Sequence, residues 1–317
     1  MNVSILGCGV FGTAIATTLL NNKINVNMWN KFQLEINNLK QQLEYKNINF
    51  STNIENTIKK TDLIIIALPV NFIEDTIKEL KPFYNNQDIL IASKGIDTTN
   101  NKFTYEIVKD ILNIDNIGVI SGGSFAIDMK EKKLLGLTLG TNTPSIKNKV
   151  KQSLENNYIK IQYINDYIGV SICGSIKNVM AIGFGILDGA NYPESSRFLF
   201  LTEAIYEIKH LIEELNGDPN TIMSYAGIDD IMMTCTSSKS RNYTLGKLIG
   251  ENKSIEEINN YKNNTTIEGL GTSKSIYNLA KEKNINLPLT NIIHNILYNN
   301  QNYTTLIKYL ENKTDES

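Results

Sequence analysis

The chain has 317 residues, of which 41% are hydrophobic, 20% charged and 8% aromatic; these are ordinary values for a folded chain of about two domains, and they exclude a wholly disordered, collagen-like or disulfide-scaffold protein. Lys plus Arg number 31 against 33 Asp plus Glu, a net charge of −2, so there is no general basic field for nucleic acid or an anionic membrane, and any anion must be met by a local site. Cys8, Cys173 and Cys235 are odd in number and widely spaced, which argues against a disulfide framework or a zinc knuckle and fits a reducing cytoplasm.

Short β-branched runs alternate with helical stretches through the first half. Val3–Leu6, Asn25–Trp29, Asp62–Leu68, Asp88–Ala92 and Ile117–Ser121 read as strands. Phe11–Asn22, Phe32–Tyr45, Asn71–Leu80 and Lys102–Leu112 read as the helices between them, and such alternation specifies a mainly parallel sheet with helices on both faces. Two more strands, Leu135–Gly140 and Ile159–Tyr163, flank a helix opened by Thr143-Pro144, proline being well tolerated in a first turn. From Asp166 onward the apolar spacing turns helical, in Leu201–Leu215, Gly271–Lys283 and Asn291–Tyr298. The expected architecture is therefore α/β: a Rossmann-type dinucleotide domain over residues 1–165 and an all-α substrate domain over 166–317. No linker composition separates the halves, so tight packing with a ligand cleft between them is expected. The many Asn residues read as compositional bias, and the polar tail Glu311–Ser317 as frayed. No apolar run is expected to approach the ~18 residues of a membrane span; the best candidate, Leu63–Val70, is strand length and carries Pro69. Val3–Leu20 lacks the basic front of a signal peptide.

Three constellations carry chemistry. Gly7-Cys8-Gly9-Val10-Phe11-Gly12 follows the first strand and opens the first helix. In that context Gly7 makes a tight turn, Gly9 lets backbone approach a pyrophosphate, Gly12 permits close helix packing, and free N–H groups face the anion. The acid that usually holds the adenosine ribose at the end of the second strand is missing, and Trp29-Asn30-Lys31 stands there. Lys31 is then either a partner for a 2′-phosphate or a solvated surface lysine, and NAD and NADP both stay open. The second constellation is Lys177, set within the small and apolar run Ser171–Ala181. An ammonium buried there needs an anion or a task, unless it snorkels to the surface. The third runs through Asp229, Asp230, Thr234, Ser240, Arg241 and Asn242 ahead of an expected helix. It reads either as a phosphate site or as a serine cap beside an exposed arginine.

Together with Ala92–Ile96, Ser121–Ala126 and Ile267–Gly269, these segments resemble, in order and over nearly the whole chain, the bacterial biosynthetic NAD(P)-dependent glycerol-3-phosphate dehydrogenases. The resemblance implies reduction of dihydroxyacetone phosphate to sn-glycerol 3-phosphate for phospholipid synthesis, in the cytoplasm and as a homodimer. It makes Lys177 the proton donor and acceptor, and sets Lys94, Asn178, Asp230 and Thr234 around the reacting carbonyl and hydroxyls. Arg241 and Asn242 would hold the substrate phosphate, with Gly122, Ser124 and Ser240 lining the site. Val10, Phe11, Lys31, Lys94, Ala126, Arg241 and Glu268 would touch the cofactor beside Gly7, Gly9 and Gly12. The chain departs from the family pattern at Val10, Gly123, Ser171 and Asp229, which leaves pocket geometry and the choice between Asp229 and Asp230 open.

Dehydrogenases often donate the proton from histidine, but His210 and His294 both lie on amphipathic helical stretches and read as structural, so lysine is the better acid. Two alternatives remain at this stage. One is a related dehydrogenase of a small 3-hydroxy acid, against which the Thr234–Asn242 cluster argues. The other is a catalytically silent NAD(P) sensor, against which Lys177 argues.

Overall fold

The fold was taken from a computed structural model that describes residues 1–42 and 45–313; Leu43 and Glu44 of the expected Phe32–Tyr45 helix and the last four tail residues lie outside it. Two compact units emerge: Met1–Lys94 with Phe103–Ser171, and Gly95–Lys102 with Ile172–Ser317.

The first unit is built on an eight-stranded sheet. Its strands are β1 (Asn2–Leu6), β2 (Asn25–Trp29), β3 (Ile48–Ser51), β4 (Leu63–Ile66), β5 (Asp88–Ile91), β6 (Ile117–Ser121), β7 (Leu135–Thr141) and β8 (Ile159–Ile164). They lie in the order β3-β2-β1-β4-β5-β6-β7-β8, all neighbours parallel except β6 and β7. The central strands are apolar on both faces, as β4 with Leu63, Ile64, Ile65 and Ile66 all fully buried, because helices cover both sides of a parallel sheet. The chain grows outward from β1 to β3 and then returns beside β1 as β4, so the C-terminal ends of β1 and β4 form the switch point where open α/β sheets bind ligands.

The sequence reading missed β3 and the short helices Ile54–Ile58 and Ala126–Lys130, four or five residues each, too few for a periodic pattern to stand out. The Phe32–Tyr45 helix is shorter than expected, Gln33–Lys40. Asparagine is more than compositional bias. Of ten non-glycine residues with positive φ among those described, eight are Asn, including Asn113 and Asn284 at helix C-caps. Asn tolerates the left-handed conformation better than other side chains, so its abundance supplies helix stops.

The second unit is helical: Ile255–Asn264 packs on Arg241–Gly250 and Thr304–Asn312 on Pro288–Tyr298, while Arg241–Gly250, Pro288–Tyr298, Glu194–Glu214, Asp230–Thr236 and Glu268–Lys283 meet the long helix Tyr167–Gly189. That last helix corrects the sequence reading on membrane spans. It is long and apolar enough to cross a bilayer, and its apolar window is wholly buried inside the protein. Ser171, Ser175, Lys177, Asn178 and Asp188 break its apolar sequence into shorter runs. Two glycine pairs spaced by four residues let it touch its neighbour backbone to backbone. A Cβ at Gly185 or Gly189 would lie 2.2 Å from the carbonyl oxygen of Tyr243 or Lys247, and one at Gly246 or Gly250 would lie 2.0 or 2.1 Å from that of Ile182 or Ile186. Only glycine permits this approach, and it sets Asn178 beside Asn242.

Candidate functional site

The glycine loop joins β1 to the helix Val10–Asn21. Gly7 has φ +114°, and a Cβ there would lie 2.4 Å from the Ala67 oxygen, so no other residue fits the turn. A Cβ on Gly12 would lie 2.2 Å from the Gly7 oxygen, which is the close packing expected of the third glycine. Gly9 differs from both: nothing lies within 4 Å of where its Cβ would be. The space in front of Gly9 is open to a ligand, and no side chain caps the helix that follows and no acid lies in its first turn. Donor N–H groups and the positive end of the helix dipole therefore face that space, and the loop fits a dinucleotide pyrophosphate. Val10 is exposed and Phe11 half-buried. Lys94 Nζ sits 5.7 Å from the Phe11 ring centre, and the short helix Ala126–Lys130 packs on Val10–Asn21. Val10, Phe11, Lys94 and Ala126 thus gather around the loop.

Beside the loop lies a cavity of about 220 Å³, bounded by Gly7, Gly9, Trp29, Lys31 and the Leu68-Pro69 turn. Lys31 is there. So is Glu35, which the sequence reading passed over because it lies six residues beyond the strand end where the acid is normally sought, in the first turn of the Gln33–Lys40 helix. Cys8 is buried, its Sγ 3.6 Å from the Trp29 carbonyl, and burial pushes its thiol up to about 12, so it is no nucleophile at neutral pH. In the loop after β6, Ser124 Oγ donates to the Gly122 carbonyl at 3.3 Å. A Cβ on Gly122 would meet the Gly136 oxygen at 2.4 Å.

The second unit holds a buried polar network. Lys177 is 6% exposed and Asp230 fully buried, and the two form an ion pair. Thr234 Oγ1, one turn beyond, donates to Asp230 Oδ1 at 3.3 Å. On the adjacent position of the long helix, Asn178 Nδ2 donates to Glu268 Oε2 at 3.1 Å, and Asn178 Oδ1 accepts from Asn242 Nδ2 at 2.9 Å. Asn242 Oδ1 in turn accepts from the Gly269 N–H at 2.9 Å. Lys177 is therefore a partnered buried lysine, not a snorkelling one. Asp230, and not the exposed Asp229, faces it. The chain kinks at Gly227 (φ −88°, ψ −110°), just before the Asp230–Thr236 helix. Cys235 is fully buried in the same helix, and burial pushes its thiol far up.

Ser240 caps the Arg241–Gly250 helix, its Oγ accepting from the Tyr243 N–H at 3.3 Å. Arg241 is exposed and stands outside the buried network, so the cap geometry and an available guanidinium occur together. Of the two histidines, His294 stacks on Tyr277 with ring centres 4.0 Å apart, and burial lowers its pKa, which keeps it a neutral packing residue at pH 7. Sequence reasoning also missed Asp188, which accepts from Tyr243 Oη, Lys247 Nζ and Arg197 and braces the glycine-packed helices.

Comparison with known proteins supplies the family. The profile of the NAD-dependent glycerol-3-phosphate dehydrogenase N-terminus matches residues 2–147, and that of its C-terminus matches residues 166–308. A glycerol-3-phosphate dehydrogenase of the NAD(P)+ type from Staphylococcus carnosus is 32% identical over 93% of this chain and 93% of its own length. The chain belongs to the NAD-dependent glycerol-3-phosphate dehydrogenase family. Its fold agrees: the crystal structure of a family member from Coxiella burnetii superposes with a TM-score of 0.90 at 25% identity, over 98% of this chain and 99% of that one. A 3-hydroxyisobutyrate dehydrogenase from Salmonella typhimurium reaches a TM-score of 0.50 at 12% identity, over 97% of this chain and 99% of that one. That likeness concerns the fold alone and does not favour the 3-hydroxy-acid alternative.

Proposed function

We propose that the protein interconverts dihydroxyacetone phosphate and sn-glycerol 3-phosphate with NAD(P)H, with Lys177 as the proton donor and acceptor. The observation that carries the role of Lys177 is its burial against Asp230 within a chain whose residues 2–147 and 166–308 match the family. When bound, the nicotinamide supplies the hydride. Lys177, as an ammonium, gives a proton to the developing alkoxide oxygen, and in the reverse direction the neutral amine takes it back. Asp230 neutralises the buried ammonium and fixes its direction, and Thr234 anchors the same carboxylate oxygen. Asn178, held between Glu268 and Asn242, offers amide dipoles that need no reorganisation when charge develops. Arg241, with the N–H groups of the Ser240-capped helix, takes the phosphate dianion. Gly7, Gly9, Gly12, Val10, Phe11, Lys94 and Ala126 hold the dinucleotide, with Gly122 and Ser124 toward the substrate.

A homodimer in a reducing cytoplasm completes the proposal. Exposed Phe198, Leu199 and Tyr206 on one helix support the dimer, and three buried free thiols support the compartment. The test is the loss of nicotinamide absorbance with dihydroxyacetone phosphate. The reduction should proceed at neutral pH, and oxidation of glycerol 3-phosphate should improve toward alkaline pH, where a larger share of amine is neutral. Cofactor binding without turnover would leave a sensor, and an oxidation rate flat with pH would remove lysine as the base.

A further inference from the structure

The cavity beside the glycine loop is lined by charges of both signs. Among the described residues that line it, the basic side chain is Lys31 and the acidic ones are Glu35, Asp75 and Glu79. Asn30, which stands where an acid would normally hold the ribose, is buried. Its Oδ1 accepts from the Phe32 N–H at 2.9 Å, and its Nδ2 donates to a carboxylate oxygen of Glu35. The first bond fixes which way the amide faces, so the second holds the Glu35 carboxylate at the cavity wall. The acid absent from the strand end is thereby restored from the following helix, four residues beyond Lys31.

Resting on the dehydrogenase reading above, we propose that Glu35 sets the cofactor choice toward NAD(H). Its carboxylate accepts a hydrogen bond from the 2′-hydroxyl of the adenosine ribose. Together with Asp75 and Glu79 it repels the 2′-phosphate of NADP(H), a group of charge roughly −2 at neutral pH that Lys31 alone would attract. Three carboxylates against one ammonium make the cavity a poor host for a dianion, and because all four groups are exposed, the repulsion is screened by salt.

Trp29 is the only tryptophan of the chain and lines this cavity, so its fluorescence reads binding of NAD+ and NADP+ without turnover. Wild-type protein should bind NAD+ at least ~10-fold tighter than NADP+, a difference of about 1.4 kcal/mol, and the ratio should shrink as ionic strength rises. Glu35→Gln and Glu35→Ala should each narrow the ratio by roughly 10-fold, mainly through tighter NADP+, and lose much of the salt dependence. Lys31→Ala should weaken NADP+ while leaving NAD+ within about twofold. A wild-type preference for NADP+, or a ratio unchanged within about twofold in both Glu35 variants, overturns the assignment while leaving the dehydrogenase reading intact. Failure of wild-type protein to bind either dinucleotide overturns both.

Discussion

The glycine loop of the first unit and the Lys177 network of the second solve opposite problems. The loop is built from backbone: three glycines within six residues shape a turn, and the ligand is met by N–H groups. The network is built from side chains, joining residues 53 and 90 positions apart, as in Lys177 with Asp230 and Asn178 with Glu268. A backbone site tolerates little change in the residues that carry its shape, whereas a side-chain site depends on charges remaining paired in the interior.

The sharpest way to break that contrast is at Lys177. Lys177→Ala should cut turnover by a factor on the order of 10² or more and, by leaving Asp230 buried without its cation, destabilise the helical unit by about 3–5 kcal/mol. Titration at low temperature, where the variant stays folded, should still show dinucleotide binding; a variant of normal turnover would end the assignment. The glycines give the complementary experiment. Gly7→Ala should cost the first unit on the order of 3 kcal/mol, since the left-handed turn and the Ala67 carbonyl both exclude a methyl group. Gly9→Ala should leave the melting temperature within about a degree of wild type and weaken dinucleotide binding by roughly tenfold, because its Cβ points into open space that the ligand would occupy. Equal stability losses at the two positions would show that Gly9 is structural.

Glu207 tests the side-chain half by pH. It is buried and accepts from Leu289 N, Thr290 N and Thr290 Oγ1 at 2.7, 2.9 and 2.6 Å at the start of the Pro288–Tyr298 helix. Burial raises its pKa from 4.5 to about 7, the three hydrogen bonds offsetting part of the effect. Between those values the folded chain binds more protons than the unfolded one. The contribution is thus full below pH ~4.5 and declines as pH rises through about 7, by an amount on the order of 3 kcal/mol. Thermal melts at pH 5 and 8 should show a smaller pH difference for Glu207→Gln than for wild type, and that variant should be less stable by about 1–3 kcal/mol at pH 5, where its amide opposes the Leu289 N–H. The mildest change expected is Arg241→Ala. An exposed guanidinium at a helix start should raise KM for dihydroxyacetone phosphate by roughly tenfold with kcat little altered; an unchanged KM would place the phosphate elsewhere.

The sequence by itself determined the parallel sheet, the glycine loop and the helical second half, because each rests on patterns that repeat within a dozen residues. Resemblance extended this to Lys177, Asp230 and Asn242, yet their pairing could not be read from spacing. Tertiary structure set Asp230, and not Asp229, against Lys177. It also showed the Asn178–Asn242 contact, which depends on four glycines letting two helices meet at backbone distance, and it returned Glu35 to the cavity through a hydrogen bond from Asn30. Those three depend on which faces are brought together, and contact between distant faces is set by packing, which no local periodicity encodes.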